Sequence, residues 1–196
     1  MSKIALIAMA AKPLHAGHYE LIKIASREND YVLVFVSSAD RKRPGEITIL
    51  GADMMTIWSR YIQPTLPKNV DISYTNIPIR ELWKVLGEAN EAESEDTYVL
   101  YGDVTDINAN FPDSSLKRYA GYLYDNGQIQ LEPIERTATV NVSGTKMRQW
   151  IQDDNEDQFI THLPREIKSN GKKIFSLLKS HAQMNQKKAN PKKRKK

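Results

Sequence analysis

The chain's 196 residues make one ordinary domain with a modest appendage and exclude a large multidomain enzyme. Its formal charge of +4 describes a tail: residues 187–196 (KKANPKKRKK) hold seven cations, so 4 − 7 leaves −3 on the remainder. Zero cysteines exclude disulfides, thiolate zinc sites, iron–sulfur clusters and a cysteine nucleophile, while a 40% hydrophobic fraction with three Trp, nine Tyr and four Phe excludes disorder throughout.

In chain order, Lys3–Met9 is a continuous apolar run closed by Lys12-Pro13 and reads as a buried strand. The apolar stretch 4–11 is too short for a bilayer core of about 30 Å and fits an interior strand better than a secretory signal. The chain is therefore expected in the cytoplasm, with no membrane partner. Residues 19–27 place Leu21, Ile22, Ile24 and Ala25 on one side and Glu20, Lys23 and Arg27 on the other, which is helical spacing. Tyr31–Ser37 is a second buried strand, and a strand–helix–strand unit implies parallel pairing.

Met54, Met55, Ile57, Trp58, Tyr61 and Ile62 form a helical stripe after Gly51, ended by Pro64. Strands at 70–74 and 97–101 flank a helix around 80–90. From 111 to 126 the signals are mixed, with turns suggested at Pro112-Asp113-Ser114 and Asp125-Asn126-Gly127. A last strand is expected at 128–134, then helices at Gly144–Gln152 and 166–181, the latter carrying Ile167, Ile174, Leu177 and Leu178 on its apolar face. This alternation predicts an α/β domain over 1–182, a doubly wound, open parallel sheet with C-terminal helices. Residues 183–196 hold too little apolar material to bury and are expected as a disordered basic tail, able to offer nucleic acid a weak contact through counterion release.

In such sheets ligands bind where strands end and helices begin, because helix N-termini aim N–H groups into the crevice there. Two segments have that placement. Lys12-Pro13-Leu14-His15-Ala16-Gly17-His18 follows the first strand and opens the first helix. Its two histidines can face one ligand, and Gly17 lets the backbone come close. Imidazole donors with a helix N-terminus suit a polyphosphate, and with no third ligand nearby no metal site is assigned. The bland alternative is two surface histidines at a cap.

The second segment, Val142-Ser143-Gly144-Thr145-Lys146-Met147-Arg148, enters a helix late in the chain. Ser143 or Thr145 is the N-cap candidate. Lys146 and Arg148 lie in the first turn, where cations oppose the helix dipole unless an anion binds there as well.

With these residues in view, His15, Gly17 and His18 resemble the HxGH signature of the nucleotidyltransferase superfamily, and 143–148 (SGTKMR) resembles its second signature, SGTxxR or SSTxxR. The chain is most similar, over roughly residues 3–180, to the archaeal-type nicotinamide mononucleotide adenylyltransferases. Tyr31–Ser37, 48–55 and the strand ending in Ile77-Pro78-Ile79 match loosely, as do Leu163-Pro164 and the helix after them. The resemblance implies a Rossmann-like nucleotidyltransferase fold and adenylyl transfer from ATP, with Mg²⁺, to a small phosphorylated acceptor, nicotinamide mononucleotide first, releasing pyrophosphate. It implies triphosphate contacts from His15 and His18, close approach at Gly17, and a β,γ-phosphate grip by Ser143, Thr145 and Arg148, with Gly144 also among the nucleotide-binding residues. Lys146 is a weaker addition from its own charge.

The chain departs from that pattern at the first signature, where relatives read GRFQPFH and this sequence has Ala10 for the arginine and Lys12 for the glutamine. Lys12 is the candidate to restore the charge. Gly102-Asp103 follows a strand, so Asp103 is a candidate for a ribose hydroxyl, with a turn role almost equally weighted. Trp83 stands near the place where nicotinamide relatives stack a tryptophan on the pyridine ring; a core role is at least as well supported. Arg41 and Lys42, with Arg43, form a basic loop that could clamp phosphates. Arg136-Thr137 only faintly resembles a cytidylyltransferase motif, and His162 and His181 read as structural. Left open are a cytidylyltransferase acting on an alcohol phosphate, a non-catalytic nucleic-acid-binding module, and a homo-oligomer.

Overall fold

In the computed structural model, residues 1–135 and 142–185 are described; Arg136-Thr137 and the tail from 186 onward lie outside them. Five strands, β1 (Lys3–Met9), β2 (Tyr31–Ser37), β3 (Val70–Thr75), β4 (Thr97–Asp103) and β5 (Ile129–Ile134), form one sheet in the order β3-β2-β1-β4-β5. Every neighbouring pair is parallel. The open parallel α/β sheet expected from the alternation is thus present, and its order reverses between β1 and β4.

The strands are continuous apolar runs because both faces are covered. Ala5, Ile7 and Met9 of β1, Val32, Val34 and Val36 of β2, and Val99 and Tyr101 of β4 point into one core, with Tyr19, Ile22 and Ala25 of helix α1 (Ala16–Glu28) and Met54 and Ile57 of α2 (Gly51–Ile57). Leu6, Phe35, Tyr98 and Leu100, one residue out of phase, point to the other face, against Leu82, Leu86 and Ala89 of α3 (Pro78–Glu91). Each such aliphatic side chain contributes about 1.5–3 kcal/mol when fully buried.

The helical stripe after Gly51 is present with a change of winding: α2 runs on as a π-helical turn, Trp58–Ile62, and a 3-10 turn, Gln63–Thr65, that takes Pro64. The mixed stretch after β4 folds into three short helices, α4 (Val104–Asn110), α5 (Asp113–Tyr119) and α6 (Gly121–Asp125). Helix α7 (Gly144–Gln152) has the expected bounds, and α8 (Glu156–Thr161) was not anticipated. The helix expected over 166–181 is divided into a 3-10 segment, Arg165–Asn170, and α9 (Gly171–Ser180). A Cβ on Gly171 would lie 2.7 Å from Ile160 Cγ1, so the glycine lets α9 start against α8.

The last described residues, 183–185, were expected in the tail. They instead lie antiparallel to a small hairpin, with Thr48 N donating to Gln183 O at 2.8 Å and Gly45 N to Asn185 O at 2.9 Å.

Candidate active site

A cavity of about 280 Å³ opens where the sheet order reverses. It is lined by Ala8–Ala11 at the end of β1, His15, Gly17 and His18 at the start of α1, Gly102 and Asp103 at the end of β4, then Asp106 and Val142. That is the crevice an open α/β sheet leaves at its switch point.

The two histidines are built into the helix start. His15 is the N-cap of α1: its Nδ1 accepts from Gly17 N at 3.2 Å, while His18 Nδ1 accepts from His15 N at 3.2 Å, a reciprocal cap. The rings lie 3.8 Å apart, centroid to centroid. Because both Nδ1 atoms accept from the backbone, each neutral ring carries its proton on Nε2, so the helix start presents two imidazole N–H donors beside its own amides. Gly17 donates that capping amide and lines the same cavity.

The second segment meets the first directly. Ser143 caps α7, its side chain accepting from Lys146 N at 3.2 Å. Arg148, buried to 7% exposure, donates from Nη1 to the Lys12 carbonyl at 2.8 Å and from Nη2 to Thr145 Oγ1 at 3.0 Å. Gly144 makes room for this: a Cβ there would lie 3.1 Å from Arg148 Nη1 and 3.4 Å from Lys12 O. Residues 136 apart in sequence are thus bonded beside the cavity: Ala11 and Val142 line it, while Lys12 and 143–148 are absent from the lining.

Lys12 is 6% exposed, and its Nζ donates to the Ser37 carbonyl, tying the end of β1 to the end of β2. Burial pushes its pKa down to about 8, partly opposed by the field of Asp40. Next to it, Arg41 pairs with Ile49 in a two-armed hairpin, Arg41 N to Ile49 O at 2.8 Å and Ile49 N to Arg41 O at 3.1 Å. The tip is a Pro-Gly turn closed by Glu46 N to Arg43 O at 3.1 Å, with Gly45 at φ 80° where a side chain would be strained. Arg41 grips Glu46 through Nε to Oε2 at 2.8 Å and Nη2 to Oε1 at 3.1 Å, and Arg148 Nε reaches Glu46 Oε2 at 3.3 Å. The paired guanidiniums, Arg41 foremost, hold the Glu46 carboxyl below its usual range. Lys42 pairs with Asp40 at 2.8 Å.

The other candidates divide. Asp103 lines the cavity and also caps α4, accepting from Thr105 N at 2.8 Å, which is the turn role. Gly102 lets β4 run close to α4, where a Cβ would meet Ile107 at 3.3 Å. Trp83 is not in the cavity; it lies on α3 across the sheet, 5.5 Å from the Phe111 ring and 6.0 Å from that of Tyr119, which is the packing reading. Arg41 and Lys42 are absent from the cavity lining and flank it through the hairpin. Sequence reading missed Glu46, whose only signal is the Pro44-Gly45 turn before it. Among the described residues no cluster of three His, Asp or Glu could hold a metal, and no helix is long and apolar enough to cross a membrane.

No protein-family model and no curated protein matches the sequence. Solved structures do match in fold. A Vibrio parahaemolyticus protein assigned as a nicotinate-nucleotide adenylyltransferase is similar at a TM-score of 0.55 and 13% identity, over 87% of this chain and 99% of that one. The nicotinic acid mononucleotide adenylyltransferase of Plasmodium falciparum, solved with NaAD, is similar at 0.57 and 14%, over 92% and 98%. A bifunctional NMN adenylyltransferase/ADP ribose pyrophosphatase from Francisella tularensis is similar at 0.57 and 13%, and this chain spans 53% of its length. The chain has the Rossmann-like fold of these nucleotidyltransferases.

Proposed function

We propose that the chain is a nucleotidyltransferase that moves AMP from ATP to a small phosphorylated acceptor, nicotinamide mononucleotide first, and releases pyrophosphate. One observation carries this reading: the Arg148–Lys12 hydrogen bond at 2.8 Å, which joins the two signature-like segments next to the switch-point cavity that Ala11 and Val142 line. The fold shared with nicotinate- and nicotinamide-nucleotide adenylyltransferases supports it.

In this reaction an acceptor phosphate oxygen attacks the α-phosphorus, the bond from that phosphorus to the bridging oxygen breaks, and the electron pair leaves with pyrophosphate. Phosphoryl transfer of this kind is catalysed by positioning and charge neutralisation. The Nε2–H groups of His15 and His18, with the α1 N-terminus, would meet the charge that develops around the α-phosphate. Lys12, Arg148 and Arg41 would take the departing phosphates, with Ser143, Thr145 and Lys146 at the α7 entry. Asp103, at the cavity wall, would accept from a ribose hydroxyl. A divalent ion would arrive on the triphosphate as part of the substrate, which is the usual way Mg²⁺ is held where no protein cage exists.

The test is pyrophosphate release with Mg²⁺, each of the four nucleoside triphosphates and a panel of phosphate monoesters that includes nicotinamide and nicotinate mononucleotides. ATP with a pyridine mononucleotide is expected to turn over, and H18A to lose about a hundredfold in rate. Turnover with CTP and an alcohol phosphate would replace the adenylyl reading by cytidylyl transfer. Silence across the panel would end both.

A further inference from the structure

Beside the cavity, outside its lining, the arginines already hold an anion that belongs to the protein. Both Glu46 oxygens sit between two guanidiniums: Arg41 at 2.8 and 3.1 Å, and Arg148 at 3.3 and 3.5 Å. Arg43 adds a third positive field on the same carboxylate. A carboxylate bridging two arginines has the charge and the fork geometry of a bound phosphate oxygen pair. Glu46 also stands at the tip of a hairpin, 31% exposed at its side chain, while Arg148 is 8% exposed and anchored from behind by Lys12 O. The most exposed partner in this triad is therefore the carboxylate and the most buried one is Arg148.

We infer that Glu46 is an internal occupant of the phosphate site, bridging Arg41 and Arg148 until the phosphates of the nucleotide displace it. Resting on the triphosphate reading above, it adds a competitor that sets how tightly phosphates bind. Arg148, buried, and Arg41, 16% exposed at its side chain, would repel each other without an anion, and the Glu46 carboxylate relieves that repulsion. An incoming polyphosphate supplies more charge and more acceptors and takes over both guanidiniums, but its affinity is reduced by whatever the Glu46 contacts were worth.

The test uses inorganic tripolyphosphate as the probe, in calorimetric titrations of the full chain and of E46Q, which keeps size and hydrogen-bonding shape while removing the charge. E46Q is expected to bind tripolyphosphate about tenfold tighter, and to lower the KM for ATP by a similar factor with little change in kcat. Equal or weaker binding by E46Q overturns the inference, because Glu46 would then serve to position the arginines. No binding to either form overturns it too. The second measurement needs no variant: crystals of the wild-type protein soaked in tripolyphosphate should show Arg41 and Arg148 on phosphate with Glu46 turned away, and a Glu46 still bridging them beside bound phosphate overturns the inference. Tighter tripolyphosphate binding by E46Q in a protein that turns over no nucleotide would instead remove adenylyl transfer and leave the anion site standing.

Discussion

A lysine ammonium buried at the ends of two strands loses hydration, and Lys12, whose Nζ donates to the Ser37 carbonyl, has its pKa pushed down to about 8. Its charge is present below that pH and lost as the pH rises through it. Phosphates bind the charged form, and binding raises the pKa in return. Triphosphate affinity is therefore expected to fall about tenfold between roughly pH 7.5 and 9.5, the worth of one charge-assisted hydrogen bond. K12M should bind weakly with a flat profile over that range. Titrating both proteins with ATP across it decides the matter, and parallel curves would take Lys12 out of the site.

At the scale of the element, two glycines in helices make opposite predictions. A Cβ on Gly51 would sit 1.7 Å from the Ser38 carbonyl oxygen, and Gly51 N also donates to Asp40 Oδ1 at 2.8 Å, so the start of α2 is pressed against the chain leaving β2. G51A should cost about 3 kcal/mol or more. Gly87, inside α3 with nothing within 4 Å of its Cβ position, should gain about 0.5–1 kcal/mol on change to Ala. Urea unfolding of both variants tests the pair, and equal midpoints would contradict the packing described. The same local logic explains what could be read from the chain. β1 and β2 have the expected bounds because a doubly covered strand needs apolar residues on both faces. Helices α4, α5 and α6 escaped notice because five or seven residues, each helix burying one apolar side chain, Ile107, Leu116 or Leu123, are too few for a period to emerge. Pro112 and Asp113 read as a turn, yet they are the N-cap and first residue of α5. In the site, the paired signatures were visible because each carries several residues of one chemistry; Glu46 was not, since a lone carboxylate acquires its role only when folding sets it between Arg41 and Arg148.

For the whole molecule, the question is how the C-terminal end of the fold bears on a cavity built from its beginning. Asn185 accepts from Gly45 N at 2.9 Å, and donates from its own N at 3.0 Å and from Nδ2 at 2.9 Å to the Glu46 carbonyl; Gln183 accepts from Thr48 N at 2.8 Å. Further back, His181 meets Asp53 of α2 at 2.8 Å. The hairpin that carries Arg41 and Glu46 is thus held by residues 183–185, each hydrogen bond contributing about 0.5–1.5 kcal/mol. Two truncations separate this support from the charge beyond it. Removing 186–196 leaves every one of these contacts in place, so pyrophosphate release should stay within about twofold at ordinary salt. Removing 183–196 strips the hairpin of the segment behind it, and the amides of Gly45 and Thr48, which donate to Asn185 and Gln183, should then exchange with deuterium at least about tenfold faster, each lost hydrogen bond having held them closed. Unchanged exchange at those amides would mean that the hairpin stands without 183–185, and that the anion site is shaped by Arg148 and the end of β1 alone.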